Sequence, residues 1–406
     1  MELNEQTSKN NFYCFLWHAI FLALTINFMD MDTIIPAMMI DAGASPLQLG
    51  ILTAIMVGGA RIAQLFFAPF LNNQPSKKGY LLGGINARVL SLAGMALLFY
   101  FSVAIKGSII ILAIFILISL FSFSGSFANI NYVDILGKSV LQQKRKAFFS
   151  IKHVLSNIFV FVSAFLAKKV LTTYGYPMNY ATLFTISAVL LVIASLGFWK
   201  IKEIPASNNR IKGMKEFLNV ITHEIFTNKK LRNYLFLVNT QGICLALMPF
   251  LILYSRKIFA AGNQDVGNFL IFKVIGGILT GSVLFYFSKK IKYNYMMHTT
   301  SALGIIIPLL MLILPGAVLF PYIFLLGGML FTIYTVSMNG ILLEVTTNEN
   351  RALYTGLAGA GGIVPVIFPF LGGWIITAFG FAHFFILFIL IIFLSFYFIY
   401  KIDCQK

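Results

Sequence analysis

Charged or chargeable side chains stand inside stretches that are otherwise hydrocarbon, among them Asp30, Asp32, Arg61, Arg88, Lys152, His153 and Lys273. A charge at the centre of a membrane helix costs roughly 2.5–3.5 kcal/mol on insertion scales, so such a group faces a cavity or a partner and not lipid. The fixed cations are Arg61, Arg88, Lys152 and Lys273, against two acids, Asp30 and Asp32. A cavity with surplus positive charge attracts an anion. Arginine meets carboxylate or phosphate as a planar two-point fork, and lysine adds a point charge. Arg61 and Lys273 are therefore the principal expected contacts of a small organic anion, with Lys152 and Arg88 as further ones. The competing reading is that these cations pair with Asp30, Asp32 or helix carbonyls and only hold the helices together.

The two acids are candidates for proton coupling, because a carboxylate in a semi-dry cavity can take up and release a proton as its access alternates. On one continuous helix, residues two apart point ~200° apart. Asp30 and Asp32 then cannot face the same cavity. Asp30 is preferred, since Asn27 lies one turn earlier on its face; Asp32 also reads as a solvated or capping acid near the span end. Sodium coupling would suit a cluster of acids, and the sequence offers none. His18, His153 and His298 read as packing or interfacial histidines. Cys14, Cys244 and Cys404 are too widely spaced for a disulfide framework or a metal signature. The nucleophile elbow, the HExxH helix and the phosphate-binding P-loop are all absent, so no enzyme and no cofactor are expected.

The elements that must position these groups follow from composition. Of 406 residues, 59% are hydrophobic and only 11% charged, with 42 phenylalanines. An ordinary globular protein carries ~25% charged residues. Most of this surface therefore faces lipid, and soluble, disordered and nucleic-acid-binding classes are excluded. A crossing takes about 20 apolar residues. Twelve runs meet that measure, near 12–37, 46–71, 79–104, 107–135, 147–173, 178–200, 232–255, 265–288, 294–314, 317–343, 352–377 and 381–401. The first is too long for a signal-peptide core and is expected to be retained. Of the 30 Lys and Arg, 21 fall at the termini and in or at the edges of the even-to-odd loops, 5 in or at the edges of the odd-to-even loops and 4 well inside runs. That bias puts both termini in the cytoplasm. The net charge of +17 is thus a topology signal whose partner is the anionic lipid headgroup, without nucleic acid. Between runs six and seven, apolar residues from Ile211 to Ile225 recur at helical spacing among charges, which reads as an amphipathic helix on the inner membrane face.

The halves repeat. KAFFSI (146–151) matches RALYTG (351–356), and FLAKKVLTTYGY (165–176) matches FLGGWIITAFGF (370–381), both at an offset of 205 residues. Asp134 precedes the first copy and Glu344 the second. A parallel repeat of six-helix units belongs to transporters that alternate their access. Polar neutral residues gather in the fourth, seventh and tenth runs: Asn129, Asn131 and Tyr132; Asn239, Thr240 and Gln241; Tyr334, Ser337 and Asn339. Ligand hydrogen bonding, with Asn131, Asn239 and Gln241 foremost, competes with helix-to-helix hydrogen bonding as their explanation. The stretch GLAGAGGIVPVIFPFLGG (356–373) cannot hold a straight helix, and Gly361, Gly362 and Pro365 are candidate bending points.

Over essentially its whole length the chain resembles the major facilitator superfamily. The resemblance is carried by ASPLQLGIL (44–52), the loop APFLNNQPSKK (68–78), the pairs Asp134/Lys146 and Glu344/Arg351, and PFLGGWIITAFG (369–380). Two loop positions depart from the family pattern: Ala68 stands for the usual Gly, and Asn72 for the usual Asp. The Gly-Pro-rich fifth-span motif of many drug antiporters is also absent (IKHVLSNIFVFVSAF, 151–165), which argues against drug export. The resemblance implies an all-α membrane protein of twelve transmembrane helices in two pseudo-symmetric six-helix bundles, 1–200 and 232–406, joined by a cytoplasmic linker, 201–231. It implies that spans 1, 4, 7 and 10 line a central cavity flanked by 2, 5, 8 and 11. Arg61, Lys152 and Lys273 would face that cavity, with Asp30 across from them and Arg88 set apart on a peripheral span. The pairs Asp134/Lys146 and Glu344/Arg351 would form an inner gate. Residues and resemblance together give an expected function: a proton-coupled secondary transporter of a small carboxylate- or phosphate-bearing anion. It would be a monomer in a bacterial inner membrane, working with protons and membrane lipids. A lipid or amphiphile flippase and a drug or metabolite exporter on the same frame are the competing functions.

Overall fold

Apolar runs separated by short basic loops become helices throughout the computed structural model, which describes residues 4–72, 74–204, 222–223, 225–287, 290–313, 316–345 and 361–402. Among the described residues there is no strand. The helices are α1 (Glu5–Ile26), α2 (Ile34–Asp41), α3 (Pro46–Asn72), α4 (Lys78–Tyr100), α5 (Gly107–Ser139), α6 (Gln142–Thr173) and α7 (Met178–Trp199). After the linker come α8 (Lys229–Gln241), α9 (Leu247–Phe259), α10 (Asn263–Tyr286), α11 (Tyr293–Ile313), α12 (Phe320–Val345), α13 (Ile363–Phe379) and α14 (Phe381–Ile402). Among the described residues, ten helical segments are long and apolar enough to cross a membrane. At the second and eleventh runs the apolar helices, Pro46–Gly59 within α3 and α13, are shorter. Most of the expected amphipathic helix between the halves, 205–221 and 224, lies outside the described residues.

The first and seventh runs are each broken. After α1 the chain makes a 3-10 turn, Asn27–Met29, leaves helical geometry at Asp30 and re-enters a helix at Ile34. The seventh run interposes a 3-10 segment, Gly242–Ala246, between α8 and α9. Proline explains both. Pro36 is the third residue of α2, and Pro249 is the third residue of α9. There the missing N–H is harmless, because the first turn has no intrahelical acceptor for it. In an unbroken helix each ring would strike the carbonyl four residues back, Asp32 or Leu245. The expectation that Asp30 and Asp32 ride one continuous helix, ~200° apart, is therefore corrected. The two acids flank a turn.

The chain divides into two compact units. One comprises Met1–Asp30 with Ala63–Lys212; the other comprises Met31–Ile62 with Gly213–Lys406. In the first, α1 buries Ser8, Asn11, Phe15, Ala19 and Ala23, a stripe at spacings of three and four. Phe15 meets Tyr132 and Phe198 edge-on at ring distances of 5.1 and 5.5 Å. One end of this unit is tied by a polar knot. Glu203 accepts from the Lys77 and Lys78 backbone N–H at 2.6 and 2.8 Å and from Ser76 Oγ at 2.7 Å. Lys78 Nζ donates to the carbonyls of Trp199 and Ile201. Asn11 spans from Ser139 to Lys202. Glu203 is thus a remote cap for α4, satisfying N–H groups that the helix start leaves open. Glu203→Ala should cost about 1.5 kcal/mol, the low end for bonds to a charged acceptor because the site is half-exposed. Thermal unfolding in detergent reads it; an unchanged melting temperature would show that the cap contributes nothing.

In the second unit small residues set the helix spacing. A Cβ on Gly50 would overlap the Pro369 carbonyl, and one on Gly373 the Pro46 carbonyl, so α3 and α13 touch backbone to backbone. Gly276 and Gly328 do the same for α10 and α12. Phe269 of α10 stacks on Phe324 of α12 at 4.6 Å.

Candidate functional site

In the first unit, five helices line a half-open cavity of about 260 Å³. α1 supplies His18, Ala19, Leu22, Ala23 and Ile26, and α4 supplies Leu81, Ile85 and Arg88. Gly125, Ala128, Asn129 and Tyr132 come from α5, Lys152, Ser156 and Val160 from α6, and Phe198 from α7. No carboxylate is among these residues. Arg88 lays its guanidinium over Phe121, 4.1 Å from the ring centre. It passes close to Gly125, whose missing side chain leaves the room. Arg88 Nε is buried without a hydrogen-bond acceptor among the described residues. Lys152 Nζ stands 3.5 Å from the Tyr132 hydroxyl, the outer limit of a hydrogen bond, and 5.4 Å from the ring centre. His18 stacks on Phe198 at 4.1 Å, and its Nδ1 lies 3.3 Å from the Ala194 carbonyl. A carbonyl only accepts, so Nδ1 carries the proton of that bond. Arg88 and Lys152 thus share one wall system. Arg88 lines this cavity within the first unit. Asp30, also buried in this unit, ends the 3-10 turn, and Asn27 before it donates to the Val160 carbonyl and to Ser163 Oγ.

The second unit holds the other intramembrane charges. Lys273 Nζ lies 2.5 Å from Asp32 Oδ2, with the two side chains only 13% and 7% exposed. The turn made by Pro36 is what presents Asp32 to α10. Arg61 runs across Gly362, where a Cβ would stand 2.5 Å from Nη1. The Tyr334 phenol lies beside its guanidinium. Nη1 is buried without an acceptor among the described residues. Around it the 3-10 turn at Gly242, the start of α13 and α12 converge, with Pro365 packed on Gly242.

Among the neutral polar residues, Asn239 and Gln241 bond between helices, while Thr240 and Ser337 bond to carbonyls of their own helices. Asn239 donates to the Leu235 and Gly361 carbonyls and accepts from the Val364 N–H at 2.8 Å, which caps α13. Gly361 and Gly362 precede α13, and Pro365 is its third residue, the same placement as Pro36 and Pro249. Gln241, fully buried, donates to the Met297 carbonyl and Ser301 Oγ, and Ser301 contacts Ser395. Asn131 bonds back to the Phe127 carbonyl of its own helix, whereas its neighbour Asn129 lines the cavity.

Asp134 is held by Lys77 at 3.1 Å and Lys138 at 2.5 Å. The side chains of Lys146 and Glu344, and all of Arg351, lie outside the described residues. Two groups escaped the sequence reading. Arg256 bonds Asp41 at 3.1 Å, with Asn263 and the Ala261 carbonyl, joining the C-terminal ends of α2 and α9. Glu203 is the other. Asp41 and Arg256 are 215 residues apart, and no local pattern pairs them. Among the described residues no cluster of His, Cys, Asp or Glu could hold a metal ion; Cys14 and Cys244 are free thiols.

The family model of the Major Facilitator Superfamily matches residues 20–362. The chain belongs to this superfamily. It is a membrane transporter of that type, and its fold recurs in solved structures at low sequence identity. The nucleoside transporter NupG is 14% identical with a TM-score of 0.68, covering 97% of this chain and 99% of its own. A POT family transporter in complex with 5-aminolevulinic acid is 10% identical with a TM-score of 0.71, covering 98% and 97%. A bacterial metal transporter is 12% identical with a TM-score of 0.63, both chains covered completely. No curated protein matches the chain in sequence. One superfamily frame thus carries chemically unlike cargoes, and the cargo of this member has to be read from its own side chains.

Proposed function

We propose that this superfamily member carries a small organic anion by alternating access, across twelve spans of a bacterial inner membrane with both termini cytoplasmic. The observation that carries the reading is the cavity of the first unit, which Arg88 and Lys152 both line with no carboxylate among the lining residues. Two cations kept in a low-dielectric cavity are stabilised when an anion enters between them. In the second unit Arg61 has no acid partner among the described residues and is proposed as a separate contact for an anion there. Lys273 has a different part. Asp32 neutralises it, so it is proposed as half of a coupling pair: a proton on Asp32 weakens the pair and frees the ammonium. The sidedness is supported by the gathering of Lys77, Lys78, Lys138 and Lys202 around the knot at one end of the first unit.

A binding screen by thermal shift in detergent tests the reading across mono- to tricarboxylates, phosphoesters and lysolipids. At least one small anion should raise the melting temperature, and Arg88→Gln and Lys152→Gln should each remove the shift. Stabilisation by lysolipids alone would favour a flippase, and no response to any anion would sink the assignment.

A further inference from the structure

We infer that the cavity takes an amphipathic anion with a single acidic head and a small apolar body about the size of one ring. The inference rests on the anion reading above and specifies it. The cavity wall is segregated. Ala19, Leu22, Ala23 and Ile26 recur at helical spacing and make the α1 side hydrocarbon up to His18. The cations and the polar groups Asn129 and Ser156 come from α4, α5 and α6. A polar group pointed at the α1 stripe would lose its water and gain no hydrogen bond, which penalises a ligand charged at both ends. A hydrocarbon body there is favoured, and the rings of Phe198 and Tyr132 offer flat faces to it. At ~30 Å³ per water, the volume holds roughly nine waters. That is room for a ring and its acid group. The acidic head can be a carboxylate or a phosphate, since both meet the arginine fork alike.

The test is titration of the purified protein in detergent with phenylacetate, phenyl phosphate, acetate, citrate and inorganic phosphate at matched ionic strength. Phenylacetate or phenyl phosphate should bind at least about tenfold more tightly than acetate, citrate or inorganic phosphate. Which of the two ring compounds binds better assigns the head. Ile26→Ser, at a position already 45% exposed and so tolerant of change, should weaken the ring compound about tenfold and leave acetate unaltered. Arg88→Gln should weaken every anion. Citrate or inorganic phosphate binding through Arg88 more tightly than either ring compound would overturn the inference and leave the anion reading standing. Ring-compound binding that is indifferent to Arg88→Gln and Lys152→Gln would overturn it as well. Silence from all five probes removes the anion reading itself.

Discussion

Lys273→Met should destabilise the protein by about 3 kcal/mol, because the buried Asp32 carboxylate then loses the ammonium it meets. The pair is closed at 2.5 Å, with both side chains largely out of solvent. A surface pair would be worth under ~1 kcal/mol, so the size of the loss is itself diagnostic. Asp32→Asn should also lower stability, by removing the charge that Lys273 Nζ meets at 2.5 Å. The double variant Asp32→Asn with Lys273→Met should recover most of the stability, since replacing both partners removes the uncompensated charge. Melting temperature in detergent reads all three. A single variant as stable as the parent would mean that water reaches the pair. If the pair also couples transport to protons, Asp32→Asn should retain anion exchange and lose acidification of the vesicle lumen during net uptake.

Gly328→Val and Gly276→Leu are expected to be at least as severe, with losses above ~4 kcal/mol or no folded protein. An added Cβ at Gly328 would fall on the backbone carbonyl of Lys273, and one at Gly276 on the carbonyl of Leu325. Neither obstacle is a side chain that can swing away. The helices α10 and α12 would have to separate, giving up the stacking of Phe269 on Phe324. In a membrane, close packing of this kind and not water exclusion holds helices together. Gly281→Ala, on the same helix but facing open space, is the control and should be neutral or stabilising by up to ~1 kcal/mol. Expression and melting temperature of the three variants decide it; a Gly328→Val protein of parental stability would show that α10 and α12 are not locked together. The two sites are linked, because the Lys273 carbonyl that Gly328 accommodates belongs to the residue that meets Asp32. Their effects should therefore depart from additivity.

Much of this was legible without coordinates. Apolar runs long enough to cross hydrocarbon announce the helices, because no other open segment satisfies its backbone there. The repeat and the loop motifs point to the superfamily, and each intramembrane charge stands out because it is costly. The break at Asp30 was also written in the chain, as Pro36 in the first turn of the next helix. It was missed because a proline inside an apolar run does not disturb hydropathy.

Partner choice was not legible. Four cations looked alike in the sequence, yet Lys273 faces Asp32, Arg88 lies on Phe121 beside a cavity, and Arg61 runs over Gly362. Asn239 and Gln241 read as ligand contacts or as links between helices, and the structure shows their amides engaged with Gly361, Val364, Met297 and Ser301. Hydropathy and repetition are local sums over neighbouring residues, so the chain alone determined a polytopic helical transporter and the places where charge enters its membrane part. Which charges are neutralised and which remain for a ligand depends on contacts a few ångströms long between residues up to hundreds of positions apart. Packing alone decides that, because the energy of a charge in a medium of low dielectric is set by what stands next to it.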